Sequence, residues 1–283
     1  MRRIAHLSDV HTLDPAHRRS NNTRYRFATK FVSLGRPVDP RSRARKLARA
    51  LEAAKASGAD HIVITGDLTE MGDVREFEHF ANILDDAGLP PDGVTLVPGN
   101  HDAYTSDAGW RRALEGPLKR YAGASATGAG KIVDRDNVAF LPIDTSCFQS
   151  IARSAGTFTP DAARAVQARI DDPALRDKSI VLVMHHPPFE HHKNPIAHWF
   201  DGLRGCTHVL EMLARHPRLQ ILHGHLHRVV DRIVDLGKGV AGVANRSRIF
   251  GAPAVVDDND EAPRVRLYDI HDGALESAGL FAM

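Results

Sequence analysis

Short apolar runs alternate with amphipathic segments along most of the chain, and the two patterns predict different elements. Apolar runs bounded by turn residues predict buried strands, whereas apolar positions three and four residues apart predict helices with one buried face. The predicted strands are Ile4–Leu7, Ile62–Thr65, Val94–Val97, Val138–Ile143, Ile180–Met184, Leu219–Leu222, Val229–Val234, Val240–Ala244 and Val265–Ile270. Alternation of strands and helices is typical of an α/β domain.

The helical patterns fill the gaps between these strands. The best defined runs from Arg41 to Ser57, with Asp39 as N-cap, Pro40 at its first position and Gly58 after its end. The other predicted helices are Val74–Ala87, Trp110–Tyr121, a helix capped by Thr159 and Pro160, and His208–His216. Because no repeat or linker interrupts the pattern, we predict a single domain over residues 1–283, with a basic insertion at about 12–40.

Polar side chains follow five of the predicted strands, at the point where each strand ends. They are Asp9 and His11; Asp67 and Glu70; Asn100, His101 and Asp102; His185 and His186; and His223, His225 and His227. In an open α/β sheet the carboxyl ends of the strands share one edge, where ligands bind. We therefore expect five separate segments to meet at one point.

The amino-acid composition limits which kinds of site these five segments can form. The chain has 17 His and only 2 Cys, and Cys147 and Cys206 lie far apart. This excludes a disulfide framework, a thiolate zinc module and an iron–sulfur cluster, and leaves imidazole–carboxylate sites. Asp9 with His11 and His225 with His227 are pairs two residues apart, so both members of a pair can face the same side. With Asp67, Asn100 and His185 they make seven ligands, which are too many for one ion that must also bind water and substrate, so two metals are implied. Asp67 is the predicted bridge, since it is the acid at the tip of the central run.

The motifs Asp-x-His, Gly-Asp-x-x-Glu, Gly-Asn-His-Asp, His-x-Pro and Gly-His-x-His occur in this order between Asp9 and His227. In this arrangement the chain resembles the calcineurin-like metallophosphoesterase superfamily. The resemblance implies a four-layer αββα sandwich of two mixed sheets with a dinuclear centre. It implies that one metal takes Asp9, His11, Asp67 and His227, and that the other takes Asp67, Asn100, His185 and His225.

The resemblance also implies a mechanism, in which a metal-bridging hydroxide attacks phosphorus. Metal coordination lowers the pKa of water toward ~7, so no separate general base is needed. His101 is placed by its motif to act as the acid or as an electrostatic clamp on a phosphoryl oxygen. Glu70 is assigned to hold the His101 imidazole in orientation. A pair of divalent Mn, Zn or Fe ions fits these ligands.

Within the superfamily, the motifs look most like bacterial class III cyclic nucleotide phosphodiesterases. Met71 stands where the superfamily's protein phosphatases carry an arginine, and Glu70 stands where purple acid phosphatases have a tyrosine ligand. We therefore expect a phosphodiesterase. The alternative is an enzyme that is similar to UDP-2,3-diacylglucosamine pyrophosphatases and cleaves a lipid-linked pyrophosphate. A third hypothesis, from another functional class, is a catalytically inactive scaffold that binds metal.

The formal net charge of +2 conceals a basic stretch, Arg18–Arg49, with eleven Lys or Arg and one acid. Between Thr12 and Pro40 apolar residues interleave with the charges, which suits a substrate lid or peripheral membrane contact. Nucleic acid is not expected, because no recognition helix or aromatic platform accompanies the charges. The expected substrate is a small nucleotide or lipid-linked phosphate ester, without a protein partner. We expect a cytoplasmic protein without a transmembrane segment. Sequence leaves open the roles of His186, His191, His192, His198 and His223.

Overall fold

A computed structural model describes residues 1–16, 23–127, 130–216, 219–238, 244–257 and 264–281. The strands are β1 (Arg3–Leu7), β2 (His61–Thr65), β3 (Val94–Val97), β4 (Val133–Arg135), β5 (Val138–Pro142), β6 (Gly156–Thr157), β7 (Ser179–Val183), β8 (Leu203–Arg204), β9 (Leu219–His223), β10 (Val230–Lys238), β11 (Ala244–Gly251), β12 (Val265–His271) and β13 (Ala274–Phe281).

The α-helices are α1 (Thr23–Val32), α2 (Pro40–Ala56), α3 (Val74–Asp86), α4 (Gly109–Glu115), α5 (Pro160–Ile170), α6 (Pro195–Asp201) and α7 (Cys206–Arg215). Single 3-10 turns span Pro91–Gly93, His101–Ala103, Pro173–Leu175 and Val255–Asp257, and a longer one spans Lys119–Ala124. None of the helices in the described residues combines the length and the apolar character needed to cross a bilayer.

Two mixed sheets carry the fold. The first has the order β13-β12-β1-β2-β3 and the second the order β10-β11-β9-β7-β5-β4, while β6 and β8 form a small separate sheet. In the first sheet β1, β2 and β3 are parallel; in the second β5, β7, β9 and β11 are parallel. Because parallel neighbours point the same way, the loops that leave β1, β2 and β3 emerge together, as do those that leave β7 and β9.

Side-chain alternation along the strands builds four layers. In β1, Leu7 packs toward helices α2 and α3, whereas Ile4 faces the second sheet. In β7, Val181 faces the first sheet, and Leu182 packs toward α5 and α7. Successive residues of a strand point to opposite faces, so each sheet has one face on helices and one on the other sheet. The predicted αββα sandwich is confirmed.

The predicted strands within the described residues are found to within a few residues, but one helix prediction is wrong. The helix predicted over Trp110–Tyr121 ends at Glu115, and a separate 3-10 turn follows it. Gly116 and Pro117 cause the break, because glycine weakens a helix and proline cannot donate the next hydrogen bond. Two predicted features lie largely outside the described residues. Most of the predicted strand Val240–Ala244 falls within 239–243, and the start of the basic stretch falls within 17–22. Helices α1 and α6 were not predicted.

Candidate metal centre

The loops after β1, β2 and β9 hold five of the seven predicted ligands in left-handed backbone conformation. The φ angles are 53° at Asp9, 53° at His11, 50° at Asp67, 69° at His225 and 53° at His227. Such angles are uncommon outside glycine, and strained backbone concentrates at functional sites. The strands that precede these loops hold the strained backbone in place, and its left-handed conformation directs the ligand side chains toward one another.

Asp67 lies where these loops meet. Its Oδ2 is 3.7 Å from His11 Nε2, 3.5 Å from His185 Nε2 and 3.9 Å from His101 Nε2. Its Oδ1 accepts a hydrogen bond of 2.9 Å from the backbone N–H of His101. Burial opposes ionisation of Asp67, but the surrounding imidazoles outweigh it and keep the pKa of the carboxyl well below its ordinary value. A buried carboxylate among three imidazoles has the position that a bridging ligand requires.

Two motif glycines make this approach possible. A Cβ at Gly99 would overlap the Asp67 side chain, and one at Gly224 would overlap Ser8 Oγ and lie 3.0 Å from Asp9 Oδ2. Only a residue without a side chain lets the loops come this close. The glycines therefore set the spacing of the site, although they supply no ligand atom.

Three of the four ligands predicted for the first metal, besides Asp67, have candidate ligand atoms within 4.8 Å of one another: Asp9, His11 and His227. His227 Nε2 is 3.4 Å from Asp9 Oδ1. Among the described residues, Asp9 Oδ1 and His11 Nε2 are buried without a hydrogen-bond partner. Buried polar atoms without partners are costly unless an ion satisfies them, so this donor set fits a metal.

The second predicted position is formed by Asp67, Asn100, His185 and His225. Asn100 Oδ1 is 3.2 Å from His185 Nε2, and its Nδ2 donates to the Tyr104 hydroxyl at 2.9 Å, which turns the amide oxygen toward the site. The His225 ring lies 5.1 Å from the His185 ring, centroid to centroid. The structure thus brings all seven predicted ligands together.

Each predicted histidine ligand has its second ring nitrogen next to an oxygen of the protein, although the geometry at His11 Nδ1 is that of an ion-pair contact and not of a hydrogen bond. The contacts are His11 Nδ1 to Glu70 Oε2 at 3.1 Å, His185 Nδ1 to the Thr65 carbonyl at 2.7 Å, His225 Nε2 to Asp201 Oδ1 at 2.9 Å, and His227 Nδ1 to Asp257 Oδ2 at 2.9 Å. Such contacts fix which nitrogen faces a metal and make the imidazole a better donor. They leave Nε2 of His11, His185 and His227, and Nδ1 of His225, as ligand atoms.

Charge near these rings shifts their pKa values in opposite directions. Burial lowers the pKa of His227, but Asp9 and Asp257 outweigh it and raise the pKa to about 10. Burial, Arg36 and His101 together lower the pKa of His11 to about 3, so this imidazole is neutral at physiological pH. Metal ligation requires the unprotonated nitrogen, which His11 already provides.

Glu70 differs from its predicted role. Its backbone carbonyl, and not its carboxylate, lies 2.8 Å from His101 Nδ1, while the carboxylate faces His11. The reason lies in the α1–α2 segment: Ser33 Oγ donates to Glu70 Oε1 at 2.6 Å, and Arg43 donates to Oε2. These partners hold the carboxylate on the His11 side of the loop. His101 keeps its predicted position, with Nε2 facing Asp67.

Four of the five histidines whose roles the sequence leaves open have contacts near the predicted centre. His186 Nδ1 is 2.8 Å from Thr145 Oγ1 and its Nε2 is 3.1 Å from the Ser154 carbonyl, so both of its nitrogens have protein partners and the geometry favours His185 as the ligand. His223 Nδ1 is 2.9 Å from the Gly224 carbonyl. His191 and His192 contact Asp201, which is described below.

Sequence reasoning missed Arg43, Asp201 and Asp257. Asp201 lies 24 residues before His225, and Asp257 lies 30 residues after His227. Neither carries a local motif, and Arg43 stands among other basic residues of an amphipathic helix. Only the folded chain shows that these three side chains support ligands.

Comparison with known proteins places this geometry in context. A family model described as calcineurin-like phosphoesterase matches residues 2–229. A dimetal phosphatase from Danio rerio has a similar structure, with a TM-score of 0.69 and 14% identity over 99% of this chain and 96% of that chain. The purple acid phosphatase PPD1 from yellow lupin (Lupinus luteus) seeds has a TM-score of 0.57 and 10% identity over 99% of this chain and 52% of that chain. The chain thus spans about half the length of the plant enzyme.

At these identities the structural likeness establishes the fold alone. The search of curated proteins found no match.

Proposed function

Since the chain belongs to the calcineurin-like phosphoesterase family, we propose that it is a dinuclear-metal phosphodiesterase. The observation that carries the proposal is the position of Asp67, whose Oδ2 is 3.5 Å from His185 Nε2 and 3.7 Å from His11 Nε2. These imidazoles belong to different ligand groups, so one carboxylate serves both. Asp9, His11, Asp67 and His227 would hold one divalent ion; Asp67, Asn100, His185 and His225 would hold the other.

A pair of divalent Mn, Zn or Fe ions supplies Lewis acidity toward a phosphoryl oxygen and lowers the pKa of water. The chain contributes charge and position. Asp9 and Asp67 are the two carboxylates among the seven ligands, so they offset only half of the +4 of two divalent ions, and the site attracts a phosphate anion.

His101 is the group that the chain offers to the leaving oxygen. Its Nδ1 donates to the Glu70 carbonyl at 2.8 Å, and its backbone N–H donates to Asp67 Oδ1 at 2.9 Å. Both contacts fix the ring with Nε2 toward Asp67 and the ligand cluster. From that position Nε2 can give a proton to the departing alkoxide or stabilise a phosphoryl oxygen.

A diester suits the charges that surround the centre. A phosphodiester carries one negative charge and a monoester about two, so a monoester needs more cationic partners. In this chain Met71 replaces the arginine that the protein phosphatases of the superfamily place next to the site. The preference for a diester rests on the methionine that stands in place of this arginine.

The proposal is tested with purified protein and added Mn²⁺ on four substrates: an aryl phosphodiester, an aryl phosphomonoester, cyclic AMP and UDP-diacylglucosamine. We expect turnover of the aryl diester, and loss of the two central ions together with turnover in Asp67→Ala. Activity on the monoester alone would refute the diesterase assignment. No bound ion and no hydrolysis of any substrate would favour the inactive scaffold.

A lipid-linked pyrophosphate is the second candidate substrate, and α1 provides the observation that favours it. Phe27 and Phe31, which lie one turn apart on α1, are 72% and 48% exposed, and Leu34, in the turn that follows the helix, is 83% exposed. Arg26, Phe27, Lys30 and Arg36 line a groove of about 640 Å³ on this side. Arg36 Nη2 lies 3.9 Å from Glu70 Oε1, so the groove begins next to the His11 side of the centre.

We also propose a cytoplasmic location. Cys147 and Cys206 are free thiols, and thiols persist in reducing compartments. Secretion of active, disulfide-linked protein would contradict this proposal.

A further inference from the structure

A second donor cluster lies beside the seven predicted ligands, at the end of α6. His191 Nε2 is 3.0 Å and His192 Nε2 is 2.9 Å from the same oxygen, Asp201 Oδ2. The two rings are 4.3 Å apart, centroid to centroid. Neither histidine belongs to the motifs on which the dinuclear centre depends.

The geometry of these three atoms is close to that of a cation site. Imidazole nitrogen and carboxylate oxygen bind zinc at about 2.0–2.2 Å, which places neighbouring tetrahedral ligands about 3.3 Å apart. The two nitrogens of the cluster are 3.0 and 2.9 Å from the oxygen, so each nitrogen–oxygen pair is a few tenths of an ångström short of that spacing.

The His191 ring is buried, with its Nε2 directed at Asp201. Its side chain is only 4% exposed, and within the described part of the chain its Nδ1 is buried without a hydrogen-bond partner. The ring is therefore held in the protein by its Nε2, the atom that faces Asp201. A buried imidazole with one nitrogen directed at a carboxylate and a second imidazole is a ready ligand.

We propose that His191, His192 and Asp201 bind a third divalent cation, of the zinc type, next to the dinuclear centre. Two imidazoles and one carboxylate are a donor set that zinc accepts, with water in the fourth position. His192 and Asp201 have side chains that are 37% and 33% exposed, so this site exchanges its ion with solvent more freely than the buried centre does.

The proposed site is coupled to the centre through Asp201. His225 Nε2 lies 3.0 Å from the Asp201 backbone carbonyl and 2.9 Å from its Oδ1, while Oδ2 faces His191 and His192. A cation on Oδ2 draws electron density from the carboxylate and weakens Oδ1 as an acceptor for His225. Occupancy of the accessory site therefore lowers the donor strength of a ligand of the second metal position.

The test measures how many zinc ions each protein chain binds. Protein is stripped, reconstituted with Zn²⁺ and desalted, and zinc per chain is measured by mass spectrometry of the metal. We expect three zinc ions in the wild type and two in His191→Gln/His192→Gln and in the single variant His192→Gln. His208→Gln, whose ring lies 3.8 Å from Glu211 on α7, is the matched control and should retain three. Circular dichroism checks that each variant is folded.

Asp67→Ala separates this proposal from the proposed function. It should lose the central ions and keep the accessory ion, because Asp67 is not part of the second cluster. A wild type that holds no more zinc than folded His191→Gln/His192→Gln would overturn the third site, whatever the outcome for the dinuclear centre.

Discussion

The guanidinium of Arg43 donates a hydrogen bond to the carboxylate of Glu70 where the two side chains are only 2% and 0% exposed. The same Nη1 donates to the His11 carbonyl at 2.9 Å. Glu70 in turn lies 3.1 Å from His11 Nδ1. A residue of α2 thus supports a predicted metal ligand through one intermediate carboxylate.

Arg43→Met should therefore weaken both the fold and the first metal position. Removing one partner of a buried ion pair costs about 3–5 kcal/mol of unfolding free energy. Loss of the contacts behind a ligand typically lowers metal affinity about 10–100-fold. Chemical denaturation and competition with a chelator measure the two effects.

The exposed Arg41 on the same helix provides the control, since Arg41→Met should change neither quantity. Combining Arg43→Met with Glu70→Gln should recover part of the stability, because the second change removes the uncompensated buried charge. Arg43→Met with wild-type metal affinity would show that the Arg43 contact does not support His11.

His101→Gln tests the proton donor. We expect kcat to fall about 10²–10⁴-fold while the bound metal is retained, because the ring makes no predicted ligand contact and general acid catalysis is worth this much. The loss should be smaller for a nitrophenyl diester than for a phenyl diester, since nitrophenolate leaves without help from an acid. Equal losses on the two substrates would instead assign His101 to electrostatic clamping.

The ligand positions were predictable because they follow buried strands. Asp9, Asp67, Asn100, His185 and His225 each come within a few residues of the end of a strand, and parallel strands deliver their ends to one edge. A short-range pattern thereby predicted long-range proximity, whereas the αββα layers were predicted from the family resemblance and not from the strand pattern.

The residues that support the predicted ligands could not be predicted from the strand pattern. Asp201 reaches His225 from the end of α6, and Arg43 reaches Glu70 from the buried face of α2, so both depend on how helices dock. Helix α1 was missed because its exposed face carries Phe27 and Phe31, which blurs the amphipathic pattern that predicts a helix.

His61 makes the stability of the fold depend on pH. Burial, reinforced by Arg135, lowers the pKa of His61 from its ordinary 6.5 to about 3. Unfolded protein therefore binds a proton that the native protein rejects between these values, and stability present above pH 6.5 is lost as the pH falls toward 3. The slope for one such group is up to about 1.4 kcal/mol per pH unit.

His61→Gln should flatten that slope by about one proton when unfolding free energy is measured in urea from pH 7 to pH 4 with chelator present. Gln can still reach Thr95 Oγ1, which lies 2.9 Å from His61 Nε2. His271→Gln, at an exposed position, is the control and should leave the slope unchanged. An unaltered slope in His61→Gln would mean that His61 does not titrate in this way.

The exposed apolar residues of the α1 segment predict a difference between substrates. Phe27→Ser/Phe31→Ser/Leu34→Ser removes three side chains that are 48–83% exposed, so folding should be little affected. If α1 receives acyl chains, kcat/KM for UDP-diacylglucosamine should fall at least about tenfold, because burying each such side chain against lipid is worth more than 1 kcal/mol. The aryl diester is too small to reach α1, so its turnover should stay within about twofold. Leu280→Ser, 56% exposed on β13, serves as the matched control, and equal losses on both substrates would count against a lipid-binding role for α1.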